Sequence, residues 1–471
     1  MKRTKILIFG LVFALFLAPG MVFSGNVANV TQVGDQNIAT ADQLGADNTA
    51  NVSQYGRNLA DVDQTGSNNT ATVNQGSSGH PVNNYKQPGY PSDWKEGAYV
   101  DQDGNNNTAS ITMTNSAIGA KIDQDGNSNT ASQTLGAAIS RTNANAPHMA
   151  VEIDQVGDYN QAVQSTVSSF GCYGIQDMLI NQTGSLNVAT QESKGGMASK
   201  MEILQTGISN NSVQYQFGRY SRTHASMVGD GNTTTQSQTY TNYSTSGANL
   251  ADIDIVGNAN IATQNQLGET NRASINIGGP GISNVVNQTQ IGNNNLVSAG
   301  VTGSSNTLNQ TQTGNNDIAD IILTGSWNTG TQTQTGGNSN VARATVNGSN
   351  NTFSQIQTGG SNTATIGIVG SLNVATQVQT GNLNLASISQ SAGDGNKAYQ
   401  TQTGGNNNDA GITQAGNLNT GTQIQTGSSN VARLTQSGNS NVASQTQTGT
   451  GHSSIVTQTG NLNNAAVVQG P

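Results

Sequence analysis

Glutamine recurs every eleven residues at both ends of this chain, at Gln32, Gln43 and Gln54 and again at Gln425, Gln436, Gln447, Gln458 and Gln469. Glycine follows two residues after most of them, as in Gly34, Gly45, Gly427 and Gly449, and asparagine commonly follows three residues later. The unit is N-x-A-x-φ-x-Q-x-G-x-x, with φ usually apolar or Gln. Self-similarity of this kind restricts the fold more than any local motif, because each unit must bury its inner face against its own copies.

An eleven-residue period is compatible with a right-handed coiled coil. The units are rich in Asn, Thr and Gly, however, and their matching positions lie two apart, which is one face of a strand. Each unit therefore reads as about seven residues of strand and about four of turn, the glycine supplying a conformation closed to other residues. Successive units also differ. Asn362, Ala364, Ile366 and Ile368 precede Asn373, Ala375, Gln377 and Gln379, and the same alternation relates Asn430, Ala432, Leu434 and Gln436 to Asn441, Ala443, Gln445 and Gln447.

The period is thus about twenty-two residues, two strands and two turns, or one coil of a solenoid with coils stacked in parallel at about 4.8 Å. The expected class is an all-β β-solenoid with in-register, amyloid-like cross-β stacking. One sheet carries mainly aliphatic residues inward and the other carries pairs of Gln. From Asn26 to Gln469 this gives roughly eighteen coils and a rod on the order of 85 Å long. Asn373, Gln377 and Gln379 are expected to form ladders with their copies one coil away. A buried amide without a partner costs roughly 1 to 3 kcal/mol, so the strict period follows from that penalty.

Lys2, Arg3 and Lys5 precede an apolar run from Ile6 to Ala18, and small residues follow at Ser24 and Gly25. This pattern predicts a secretion signal over 1–24, with a repeat region over 25–471. A signal-anchor helix is the alternative, although the run is shorter than the ~20 residues a spanning helix needs. Removing the segment deletes three basic and no acidic residues and moves the formal charge from −9 to −12. An acidic chain without clustered Lys or Arg argues against nucleic acid as a partner. No other apolar stretch is long enough for stable membrane insertion as a helix, and the single cysteine, Cys172, excludes an intramolecular disulfide framework. An unpaired thiol can join two chains or be a tolerated free cysteine.

Irregular, loop-bearing coils are expected over about 76–248 and regular coils over about 249–469. Long interruptions at about Gly76 to Lys95, Gly136 to His148, Val167 to Ile175 and Thr239 to Ala248 each follow a Gln-type unit, which predicts that they leave one edge of the rod. The first holds Tyr85, Tyr90 and Trp94 in a chain only 4% aromatic, a candidate partner loop. Repeats run close to both ends of the chain without a recognisable cap. Open strand edges template the addition of further chains, and in-register Asn and Gln ladders favour cross-β fibres.

The stretches QVGDQNIATADQ, Gln32 to Gln43, and QTGSSNVARLTQ, Gln425 to Gln436, resemble the Q-x-G-x-x-N-x-A-x-x-x-Q repeat of curlin, the subunit of bacterial curli. The resemblance covers nearly the whole chain after residue 24 and degenerates between about Gly136 and Thr241. It implies a secreted functional amyloid that leaves through an outer-membrane export pore, polymerises with itself or with other curlin-like subunits at the cell surface, and supports adhesion and biofilm matrix. The family's stacking positions carry over to Gln32, Gly34, Asn37, Ala39 and Gln43, and to Gln425, Gly427, Asn430, Ala432 and Gln436. Two departures stand out: the chain is far longer than the short family subunits, and the family's Ser at the strand start is mostly Asn here.

Other functions were weighed against this one. A β-helix polysaccharide enzyme needs Asp, Arg or His gathered on one face, whereas His80, His148, His224 and His452 are scattered and Asp61 and Asp63 take outward positions. No catalytic or metal-binding residue and no cofactor is therefore assigned, as neither zinc spacing nor an EF-hand loop is present. Ice binding is suggested by outward Thr329, Thr331, Thr333 and Thr335, but the matching residues Val374, Thr376 and Val378 do not continue the array. A non-polymerising adhesin that binds through its edge loops is the main alternative to a fibre former.

Overall fold

The computed structural model describes residues 25–34, 37–56, 58–76, 97–114, 118–136, 149–167, 176–194, 199–218, 220–239 and 248–470. Among them the chain is all β, with 37 strands and no helix. It winds as a β-solenoid of roughly 22 residues per coil, and strands pair in parallel and in register with the strand one coil away, as in Val27↔Thr49 and Gln355↔Gln377. The 1st, 3rd and every later odd strand form one sheet of 19, beginning with Val27–Val33 and ending with Asn464–Gln469. We call this the first sheet. The even strands, from Ile38–Ala46 to Ser453–Thr459, form the second. Each end strand pairs on one side alone: Val27–Val33 with Thr49–Tyr55, and Asn464–Gln469 with Val442–Thr450.

Period-two burial follows directly from the sequence pattern. In Val374–Thr380 the side chains of Ala375, Gln377 and Gln379 are fully buried while Val374, Thr376 and Val378 lie outward. Alanine lines the start of most strands in both sheets, where the sheets come together near the turns, and larger residues fill the middle.

The two edges of the rod differ. Every connection from a second-sheet strand to the following first-sheet strand is short and fully described. Its glycines form an unbroken column that runs through Gly45, Gly66, Gly104 and Gly126 and on to Gly438 and Gly460, with φ near +100° to +130° at these positions. There a Cβ would collide with the next glycine: from Gly303 it would stand 2.0 Å from Gly325 O. That is why glycine recurs. The residue before most strand-start Asn residues is also left-handed, including Trp327, Leu372 and Leu418, a conformation costly for bulky side chains.

Every segment outside the described residues between Val27 and Gln469 follows a first-sheet strand and precedes a second-sheet strand in the chain. The interruptions expected at about Gly76 to Lys95, Gly136 to His148, Val167 to Ile175 and Thr239 to Ala248 lie almost wholly outside the described residues. The coil step widens there, to Ala60↔Ala98 and Met149↔Ile118, and in-register pairing resumes on the far side. Tyr85, Tyr90, Trp94 and Cys172 lie outside the described residues, as do His80 and His148.

Candidate functional site: amide ladders and open strand faces

The feature that sets this rod apart is its polar core. Gln377 Nε2 donates to Gln400 Oε1 at 2.9 Å and to Thr365 O across the core at 2.9 Å, while its Oε1 accepts from Gln355 Nε2 at 2.9 Å. Gln379 repeats this with Gln402, Thr363 and Gln357. Each glutamine thus bonds up, down and sideways, which satisfies a fully buried amide. The sideways bond goes to a carbonyl of the facing sheet, so the ladder also ties the two sheets together.

Asparagine does the same work at the turns. Asn373 N donates to Asn351 Oδ1 at 2.9 Å, Asn373 Nδ2 donates to Gly393 O at 3.1 Å, and Asn396 N donates to Asn373 Oδ1 at 2.8 Å. Asn430 and Asn441 make equivalent bonds to Asn408 and Gly449, and to Asn419 and Gly460. The carbonyl of the turn glycine is held by the same side chain that orders the next strand.

The remaining sequence-selected positions occupy these columns. Gln32 donates to Gln54, Gln43 to Gln64, Gln425 to Gln447, Gln436 to Gln458 and Gln447 to Gln469, all at 2.7 to 2.9 Å. Asn37 Oδ1 accepts from Asn58 N at 3.1 Å. Gly34 and Gly427 have positive φ and face Gly56 and Gly449, Ala432 is buried, and Ala39 packs partly buried against the core. Gln445 differs: it accepts from Gln423, but its Nε2 donates to Ser454 Oγ at 2.8 Å instead of to a glutamine.

The ladders divide the rod in a way the sequence reading simplified. In the first sheet Gln fills the middle inward position from Gln133 through Gln445, and pairs of Gln begin only at Gln214 and Gln216. In the second sheet the last inward position is Gln from Gln43 to Gln205, apolar from Met227 to Ile368, and Gln again from Gln390 to Gln458. A sheet of Gln pairs facing an aliphatic sheet therefore describes the middle of the rod. Toward the N-terminal end most strands of both sheets carry a single Gln, last in the inward series, whereas toward the C-terminal end the second sheet regains a single Gln while the first sheet keeps its pairs as far as Gln445 and Gln447.

The glutamine ladders share one polarity, with Nε2 donating toward the C-terminal coil. Consequently a ladder that starts inside the rod leaves an acceptor unused, and Gln133, Gln216 and Gln390 each keep a buried Oε1 without a partner. Burying such an oxygen costs roughly 1 to 3 kcal/mol.

Among the described residues, charge lies on the outer surface apart from Asp317. Along the second sheet, Asp63 and Asp101 pair in register and Asp101 pairs with Asp123, which pairs with Asp154. Burial raises the pKa of Asp63, Asp101 and Asp154 above the ordinary 3.8, and neighbouring carboxylates add to it. Lys121 bridges Asp123 at 3.1 Å and Glu152 at 3.3 Å and opposes the rise at Asp101 and Asp154.

Stacking also assembles a group that linear spacing concealed. His224 Nδ1 lies 3.4 Å from Glu202 Oε2 and its Nε2 lies 3.6 Å from Asp254 Oδ1. His224, Asp252 and Asp254 offer donor atoms within 4.8 Å of one another, a geometry that can hold a cation. The signal for it is the strand register, which sets His224 between Glu202 and Asp252. Outward Thr329, Thr331, Thr333 and Thr335 pair with Thr352, Ser354, Ile356 and Thr358, so the threonine array does not extend to the next coil.

The curlin associated repeat matches this chain at residues 24–56, 57–80, 405–438 and 429–460, toward both ends of the rod. No curated protein matches the chain.

Proposed function

This chain is a curlin-repeat protein, and from that premise we propose that it is a secreted structural subunit that polymerises into curli-like fibres at the cell surface, supporting adhesion and biofilm matrix. In this reading residues 1–24 are the export signal, 25–471 form the fibre-building unit, and an outer-membrane pore carries the chain out. Other curlin-like subunits are candidate fibre partners.

One observation carries the reading: the described rod presents strand faces whose backbone and amide groups have partners on one side alone. Gln458 and Gln469 donate to backbone carbonyls at 2.9 Å, and among the described residues neither donates to a further glutamine. The strand faces that hold coil to coil inside the chain are therefore available to hold chain to chain.

The test is incubation of the purified chain followed by dye binding, electron microscopy and fibre diffraction. Fibres with a ~4.8 Å meridional spacing are expected. A protein that remains a soluble monomer under conditions that polymerise curlin would favour the adhesin acting through its insertion-bearing edge.

A further inference from the structure

We propose that a second copy of this chain adds to the C-terminal face of the rod with its sheets exchanged, so that its first sheet continues the second sheet of the copy it joins. The copies are then related by a half-turn about the rod axis. The proposal rests on the polymerising reading above and specifies its junction.

Ladder polarity fixes which ends meet. At one face Gln458 and Gln469 each keep one Nε2 hydrogen after donating to Val442 O and Ser453 O. At the other, Gln32 and Gln43 donate to Gln54 and Gln64, leaving their Oε1 atoms as acceptors. Donors face acceptors only when the C-terminal face of one copy meets the N-terminal face of the next.

The core is matched at these faces. Within the regular region the first sheet carries Gln pairs, down to Gln445 and Gln447. The last strand breaks that rule, with Ala465, Val467 and Gln469, the same inward series as Ala28, Val30 and Gln32 in the first strand. The inner Gln ladder does not reach the face, because Gln445 is terminated inside the chain by Ser454 Oγ. A Gln at the middle position would have met Val30 or Ala41 of an added copy and lost its partner.

Strand order then selects the exchanged arrangement. Both the first and the last described strands belong to the first sheet. Stacking first sheet on first sheet would complete that sheet but leave the second one strand short. Ser453–Thr459 and Ile38–Ala46 of the added copy would stand two coil steps apart, about 9.6 Å, too far for backbone hydrogen bonds. With the sheets exchanged, Val27–Val33 of the added copy lies on Ser453–Thr459 and Ile38–Ala46 lies on Asn464–Gln469. No strand is missing, Gln458 donates to Gln32, and Gln469 donates to Gln43. Mid-rod, the same exchange would set Gln264 and Gln266 against aliphatic partners such as Ile253 and Ile255. The edge that carries the insertions would alternate sides from copy to copy.

Cysteine pairs at outward positions one coil apart test this, since strand neighbours at this spacing suit disulfide geometry. In a Cys172→Ser background, Ala466→Cys with Thr40→Cys pairs across the exchanged junction, and Ala466→Cys with Asn29→Cys pairs across the unexchanged one. All three sites face outward at exposed strands, so folding should survive, which circular dichroism checks. Fibres of the first variant are expected to give covalent multimers on oxidation, and fibres of the second to give monomer. Multimers from the second alone, or fibres of both that give no multimers, would overturn the exchanged junction while leaving polymerisation intact. A chain that never polymerises would instead remove the assembly reading, and the junction with it.

Discussion

The coils before residue 240 and those after residue 248 solve the same stacking problem by different means. The earlier coils interrupt one edge repeatedly and carry a charged outer face, with stacked carboxylates and the Lys121, Lys194 and Lys200 ion pairs. The later coils run without interruption, and their outer face is mainly Thr, Ser and Asn, with the Arg433–Asp409 pair among its few charges. In the earlier coils neighbours are told apart from outside. In the later coils they are nearly identical, and a slip by one whole coil would preserve most Gln and Asn bonds.

Uniform ladders give stability without register. Register in the later coils must come from the places where repetition fails, and the core contains such places. Gly330 stands where Ala is usual, and one coil on Phe353 is fully buried; a Cβ at Gly330 would lie 2.1 Å from Phe353 Cζ. Gly421 similarly makes room for Leu434, 2.7 Å from where its Cβ would be. The Gly330–Phe353 pair, which joins one coil to the next, fits one register only.

The largest effect is therefore expected from Gly330→Ala, about 3 kcal/mol of destabilisation through overpacking against the Phe353 ring. Adding Phe353→Ala should recover part of the loss, a coupling of about 1 to 3 kcal/mol in a double-mutant cycle measured by urea unfolding. Additive effects would show that the two residues do not define register.

Second in size is Gln377→Leu, which leaves Gln400 Oε1 without its donor and Gln355 Nε2 with only its bond to Arg343 O. About 2 kcal/mol is expected, concentrated in the adjoining coils and visible as faster hydrogen exchange there. In the earlier coils Gln75→Leu should cost less, because that ladder already ends there on the Met113 sulfur, 4.0 Å away. Equal costs at the two sites would contradict buried ladders as the source of stability in the later coils.

The comparison also shows what the sequence could disclose. The 22-residue period, two sheets and buried Asn and Gln all follow from residue spacing, because period two and the coil length fix which side chains meet. Donor direction did not follow, since an amide column reads the same both ways until the facing carbonyls, such as Thr365 O beneath Gln377, choose the nitrogen. The His224 group and the Gly330–Phe353 pair were also hidden. Each joins residues about one coil apart whose individual identities break the repeat, so a consensus unit discards them.

A smaller effect is expected at Asp317, which occupies an Asn column. Its Oδ1 accepts from Asn340 N at 2.8 Å, but its buried Oδ2 has no partner where Asn295 and Asn340 present Nδ2 to Gly314 O and Gly359 O. Burial raises its pKa, against the opposing bonds from Asn340. Asp317→Asn should restore the column and stabilise the rod by about 1 kcal/mol at neutral pH, measured as a rise in the urea midpoint. No gain would mean that the carboxyl is already protonated and donating.

The smallest effect is a difference in acid response between the two regions. Asp63, Asp101 and Asp154 have folded pKa values above 3.8, raised first by burial and then by one another's neighbours, among them Asp61, Asp123 and Glu152, with Lys121 opposing at Asp101 and Asp154. A carboxyl with a raised folded value binds protons more readily in the folded state. The earlier coils should thus gain stability as pH falls through the raised values, completing the gain below 3.8, and lose it as pH rises. All three groups are partly exposed, so solvent screening limits the sum to on the order of 1 kcal/mol. Hydrogen exchange corrected for intrinsic rates, compared at pH 7 and just below 3.8, should show added protection around Asp63, Asp101 and Asp154 but none around Gln377. Asp63→Asn with Asp101→Asn should abolish most of that response, and an equal response in the Gln377 coils would assign it to something other than the stacked carboxylates.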